Sequence, residues 1–110
     1  VDDFARKWAH WWNTRDLEGL LEHYSDDVLV RSPAAARLLG DGILRGKQAV
    51  REFWEAGLKA VPDVRFEVLD VFTGVDTVIL SHRNQNGLRG AEVFTFRAGQ
   101  VVEVVGAMAV

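Results

Sequence analysis

A chain of 110 residues with 48% hydrophobic and 26% charged content is long enough to bury a core of its own and makes a single domain, residues 1–110. The absence of cysteine excludes disulfides and thiolate chemistry, and the three histidines, His10, His23 and His82, lack metal-ligand spacing, so neither a metal nor a cofactor is expected. A net charge of −3 argues against nucleic acid, the apolar runs are broken by charge before they span a bilayer, and the acidic start Val1-Asp2-Asp3 has no signal-peptide pattern, so a cytoplasmic protein without membrane contact is expected.

Asp2 or Asp3 is placed to cap a first helix that runs to about Trp12. Phe4, Ala5, Trp8, Ala9, Trp11 and Trp12 form a wide apolar stripe on it. Three tryptophans between Trp8 and Trp12 are more apolar area than one helix needs on a small core. Such surface lines a core or a pocket for an apolar ligand. Neighbouring residues on a helix are about 100° apart, so the three rings diverge: one or two face a pocket, or all pack a core. Asp16 predicts an N-cap for a second helix with Leu17, Leu20, Leu21 and Tyr24 on one face. Asp26-Asp27 turns the chain into a strand over 28–31, and Ser32-Pro33 ends it because proline cannot donate to a ladder.

Residues 34–44 read two ways: Leu38-Leu39 suits a helical turn, while Gly40-Asp41-Gly42 signals a loop. Gly46 opens a third helix that buries Ala49, Val50, Phe53, Trp54, Gly57 and Leu58, and Pro62 closes it. Beyond Pro62 the period changes to alternation. Strands are predicted over about 64–72, 77–85, 89–97 and 101–108, punctuated by Thr73-Gly74, Asn86-Gly87 and Ala98-Gly99. Helices first and an antiparallel meander after give an α+β order, a curved sheet with three N-terminal helices on its concave face. Trp8, Phe53, Trp54, Phe66, Phe94 and Phe96 are expected to be largely buried. The last strand is apolar on both faces, with Val101, Val105 and Ala107 on one and Val102, Val104 and Met108 on the other, which predicts a homodimer that covers the second face.

In order along the chain, Trp12-Asn13-Thr14-Arg15-Asp16-Leu17, Tyr24-Ser25-Asp26-Asp27-Val28, Arg31-Ser32-Pro33, Leu44-Arg45-Gly46-Lys47-Gln48-Ala49-Val50, Glu92-Val93-Phe94-Thr95-Phe96 and Gly99-Gln100-Val101-Val102 resemble the nuclear transport factor 2-like superfamily, and within it the SnoaL-like, ketosteroid-isomerase-like branch. The resemblance implies a conical α+β barrel with a deep apolar pocket between helices and sheet, commonly a homodimer through the sheet. The branch includes isomerases, polyketide cyclases, dehydratases and epoxide hydrolases, so the fold alone does not choose a reaction. In ketosteroid isomerases the general base is an Asp directly before a proline where the first strand ends. Here that place holds Ser32, whose hydroxyl cannot remove an α-proton without a base. The oxyanion-hole tyrosine of the first helix corresponds, by spacing to Asp16, to Trp8. The neutral carboxylic acid of a later strand corresponds, by spacing to Phe96, to Glu92, which alone keeps its chemical type.

Glu92 and His82 are the candidate catalytic residues. If the strand face of Glu92, Phe94 and Phe96 is the concave one, Glu92 points into apolar surroundings and its pKa rises; otherwise it is a rim carboxylate paired with Arg83 or Arg89. His82 shares a face with Val78 and Leu80 and is a base or polar anchor if that face lines the pocket. Asn86-Gly87 favours a two-residue hairpin loop pairing His82 with Ala91 and Ser81 with Glu92, which turns His82 and Glu92 to opposite faces. A three-residue loop pairs His82 with Glu92 and creates a dyad. Trp8, Trp12, Tyr24, Ser32, Trp54, Phe94 and Met108 are the candidate ligand contacts, and Arg31, Arg45 and Arg51 read as solvated. The expected function is a pocket for a small hydrophobic ligand, with cofactor-free acid–base chemistry of isomerase, cyclase or hydrolase type on a cyclic or polyketide-like substrate. The alternative is a non-catalytic domain that uses the same sheet to dimerise or bind a protein.

Overall fold

A computed structural model of the chain describes residues 2–110. The elements run α1 (Asp2–Asn13), α2 (Leu17–Leu21), β1 (Tyr24–Arg31), α3 (Pro33–Leu39), β2 (Ile43–Arg45), α4 (Lys47–Ala60), β3 (Glu67–Thr73), β4 (Thr77–Arg83), β5 (Arg89–Arg97) and β6 (Gln100–Met108). One six-stranded sheet has the order β2-β1-β6-β5-β4-β3. Every pairing is antiparallel except β1 with β6, so the fold is α+β with a mainly antiparallel, curved sheet and the helices in the N-terminal half. Register shifts in the β1–β6, β3–β4 and β5–β6 pairings supply curvature, because an extra residue in one strand bends it.

The stripe of α1 explains how the helix meets the sheet. Phe4, Trp8 and Trp12 are four residues apart and therefore lie in a row along one side. The Phe4 ring sits edge-on to Phe94 at 4.8 Å and Phe96 at 5.3 Å. Trp8 covers His82 and Phe66, and Trp12 meets Trp54 and Phe66. The end of α1 is fastened by the Asn13 amide, which donates to the Phe66 carbonyl and accepts from its N–H, both at 2.9 Å. Arg15 adds a bond to the Pro62 carbonyl at 2.8 Å. Asp16 caps α2 by accepting from the Gly19 N–H at 3.0 Å. The largest fully buried side chains of the core are Leu20, Leu21, Val28, Val50, Val78, Leu80, Phe94 and Val101.

Four features differ from the sequence expectation. Among the described residues there are four helices rather than three: Ser32 ends β1 but also caps α3, its Oγ accepting from the Ala35 N–H at 3.2 Å, with Pro33 in the first turn and Gly40 closing the helix at φ +80°. Tyr24 begins β1 instead of ending α2, because α2 stops at Leu21. Asp3 lies inside the first turn of α1, 3.5 Å from Arg6, and the position that would cap this helix, Val1, is outside the described residues. In β6 the shift opposite Thr95 and Phe96 makes Val102 the extra residue, so Val101 and Val104 are both buried and strict alternation fails. Of the six expected core aromatics, Trp8, Trp54 and Phe94 are buried, while Phe53, Phe66 and Phe96 pack half-buried against the core.

Candidate functional site

The hairpin between β4 and β5 builds the site. Asn84 Oδ1 accepts from the N–H groups of Asn86 and Leu88, at 2.9 and 3.0 Å, and Gly87 donates to the Asn84 carbonyl at 3.0 Å from φ +80°. The Asn84 N–H donates to the Leu88 carbonyl, so Gln85, Asn86 and Gly87 form a three-residue loop that ends in a left-handed glycine. Asn86-Gly87 is therefore the second half of the loop and not its whole. The resulting register pairs His82 with Gly90 and Leu80 with Glu92. This replaces both pairings considered from the sequence, and corrects the preferred two-residue register. His82 and Glu92 become diagonal neighbours on one face, with Val78, Leu80 and Phe94.

His82 is 7% exposed. Trp8 stacks on it, with ring centroids 5.1 Å apart and planes at 26°, and Phe66 meets it edge-on at 5.1 Å. Its Nε2 stands 4.0 Å from Glu92 Oε1, too long for a hydrogen bond, and its buried Nδ1 has no hydrogen-bond partner among the described residues. Burial lowers the His82 pKa below the usual histidine value. Glu92 retains 26% of its side-chain surface and lines a cavity. Burial raises the Glu92 pKa to about 7. Arg83, the group best placed to oppose that shift, pairs instead with Glu67 at 2.6 Å. Tyr24 is buried behind Trp54, and burial, with the Glu92 charge second, pushes its phenol well above the usual tyrosine range. Near pH 7 the imidazole is neutral, the carboxyl is poised between its two forms, and the phenol keeps its proton.

The cavity holds about 430 Å³ between α1, α3, α4 and the sheet, with walls dominated by Trp12, Phe53, Trp54, Phe66 and Met108. Of the residues expected from the sequence, Glu92, His82, Trp12, Ser32, Trp54 and Met108 line it together. Trp8, Tyr24 and Phe94 do not: each packs one layer behind, Trp8 on His82, Tyr24 on Trp54 and Phe94 under Phe4. They are corrected from wall residues to supports. The Ser32 hydroxyl borders the cavity but is engaged as the cap of α3. Sequence reasoning missed part of the lining, to which exposed Ala34, Arg37 and Leu38 of α3 and Asn86 and Leu88 of the hairpin contribute. Serine, proline and glycine spaced for a capped helix were the available signal for α3, and Asn84 that for the loop. Among the described residues no three His, Cys, Asp or Glu side chains gather as a metal would need.

Residues 5–104 match the family described as SnoaL-like domain. The chain is similar to a SnoaL-like protein of unknown function from Burkholderia thailandensis E264, at 35% identity and TM-score 0.92, covering 99% of this chain and 93% of that one. A suggested polyketide cyclase from Sinorhizobium meliloti has 17% identity and TM-score 0.80, with 96% and 94% covered. AclR, a suggested hydroxylase from Streptomyces galilaeus, has 24% identity and TM-score 0.76, with 98% and 87% covered. These last two likenesses speak to the fold alone. The search of curated proteins found no match.

Proposed function

The chain belongs to the SnoaL-like family, and from that premise we propose that it binds a small hydrophobic molecule and moves a proton on it without a cofactor. One observation carries the reading: Glu92 and His82 share the floor of a cavity whose walls are mainly apolar, 4.0 Å apart and unbonded to each other. The protonated Glu92 carboxyl can donate to a ligand oxygen, and neutral His82 Nε2 can accept a proton from a neighbouring carbon or hydroxyl. A carboxyl with a pKa of about 7 exchanges its proton readily in either direction at neutral pH. Ser32, at the place of the isomerase base, is committed to α3, so proton removal falls to His82 or to ionised Glu92. The substrate class that fits is a cyclic or polyketide-like ketone. Its flat apolar rings suit the aromatic walls, and its carbonyl suits the floor.

The test uses 2-tetralone, a two-ring ketone with exchangeable α-protons, in deuterated buffer followed by NMR. The native protein should accelerate α-deuteration over buffer. Glu92→Gln should lose at least a hundredfold of that acceleration while binding the ketone unchanged, because glutamine keeps the shape and cannot exchange a proton. Equal acceleration by Glu92→Gln would overturn the acid–base reading.

A second reading concerns assembly. The register places Phe72, Ile79, Val93 and Val105 in one row across β3, β4, β5 and β6, on the face opposite His82 and Glu92. Phe72 at 61% exposure is a large apolar group to leave in water. A homodimer that stacks this row on itself would cover it. Sedimentation at micromolar concentration should give twice the chain mass, and Phe72→Glu should give the monomer. A native monomer would refute the pairing.

A further inference from the structure

Each titratable residue of the floor has a glycine as its cross-strand partner: Gly90 opposite His82, and Gly106 opposite Glu92. The two glycines do different things. A Cβ on Gly90 would lie 2.9 Å from the Ala107 carbonyl oxygen and 2.9 Å from His82 Cε1. Backbone and a packed ring cannot yield, so Gly90 is required by the packing itself. A Cβ on Gly106 would meet no backbone closer than the Arg31 carbonyl oxygen at 3.5 Å, which is ordinary contact, but would lie 2.7 Å from Glu92 Oε2 and 3.7 Å from its Cδ. Gly106 also has no positive φ that would demand glycine. Glycine in a strand interior weakens it and marks a close approach by something else. Among the described residues, the only group that approaches too closely here is the Glu92 carboxyl.

We propose that Gly106 is a positioning residue for Glu92: its missing side chain leaves the slot against β6 in which the carboxyl lies, at the cavity floor and beside His82. The proposal rests on the acid–base reading for its consequence, but the placement is tested separately. The groups that bear on the carboxyl are His82 at 4.0 Å and the Tyr24 phenol. The Arg31 guanidinium is held elsewhere, 3.0 Å from Glu103.

Gly106→Ala moves the end of a flexible side chain and nothing rigid. It should fold with unchanged or slightly raised thermal stability, while the displaced carboxyl swings into the cavity and gains water. The midpoint of Glu92, read by carbon-13 NMR, should fall by at least one unit towards the ordinary glutamate range. The pH profile of 2-tetralone exchange should shift by the same amount, and the rate at pH 7 should drop at least tenfold. Gly90→Ala should instead lose stability outright. If Gly106→Ala leaves both the Glu92 midpoint and the exchange profile unchanged, the proposal is overturned. A shifted midpoint supports it even if the native protein shows no exchange, and in that case the acid–base reading alone fails.

Discussion

The same strands run through two regions that differ in almost everything but their backbone. At one end of the concave face, Val78, Leu80 and Phe94 have essentially no exposure, and Phe4 of α1 sits on Phe94. One step along β4 and β5 the residues become His82 and Glu92; Trp8 of α1 still stacks on His82, but the space beside the pair is a cavity. The packed end draws its energy from apolar area removed from water. The open end gives up that contribution and carries two polar groups that burial disfavours in their charged forms. Placing a carboxyl where a valine or phenylalanine would pack is a local cost in stability, and the same burial raises the carboxyl pKa to about 7.

The largest expected difference between the regions comes from truncation. Phe94→Ala removes a ring that is 1% exposed and in contact with Phe4, and should cost about 3–5 kcal/mol by chemical denaturation. Met108→Ala at the cavity wall should cost well under half of that, since it enlarges a space that already exists. Equal losses would erase the distinction.

Next comes the effect of pH. The Glu92 pKa is higher in the folded chain, about 7, than the usual 4.5 expected when unfolded. Below about pH 4.5 both states are protonated and stability is undiminished. As pH rises from about 4.5 to 7, the unfolded state ionises while the folded carboxyl keeps its proton, so the fold loses stability across that window and the loss levels off above 7, at roughly 1–3 kcal/mol by pH 8. Glu92→Gln should therefore be more stable than the native chain at pH 8 by that amount, and no more stable at pH 4. His82 acts in the opposite sense. Burial lowers its pKa, so its contribution is present above the usual histidine range and is lost as pH falls through the folded value. A Glu92→Gln advantage that does not grow with pH would contradict the assignment.

Smaller effects sharpen the lining. Ser32→Ala removes the cap of α3 and should cost about 1 kcal/mol, with a matching rise in hydrogen exchange confined to residues 33–39. Gly57→Ala adds a methyl in the interior of α4 where nothing lies within 4 Å, and should stabilise by roughly 0.5–1 kcal/mol while narrowing the cavity. Loss of stability in Gly57→Ala would mean that the cavity wall is tighter than its geometry indicates.

The packed region was the legible one. The aromatic stripe of α1, the Asp16 cap and the change of period after Pro62 are local patterns, and each is set by residues a few positions apart. The open region depended on features that local pattern does not carry. Asn86-Gly87 looks like a complete two-residue loop until the Asn84 side chain is seen to bridge the turn, and that single step decides whether His82 and Glu92 share a face. The extra residue at Val102 reverses the parity of β6, which alternation alone cannot foretell. Ser32-Pro33 was read as the end of a strand and is also the start of α3, because the same two residues suit both roles. Trp8 and Phe94 were legible as buried, but whether a buried ring faces a cavity or supports the layer in front is settled by tertiary packing.

The central claim is that Glu92 is a half-buried carboxyl held beside His82 in a mainly apolar cavity. Site-resolved carbon-13 titration of the Glu92 carboxyl in the native protein tests it most directly. A midpoint near 7, well above the 4.5 of an ordinary glutamate, is the predicted result. A midpoint at or below 4.5 would place Glu92 in a wet or ion-paired setting and contradict the account.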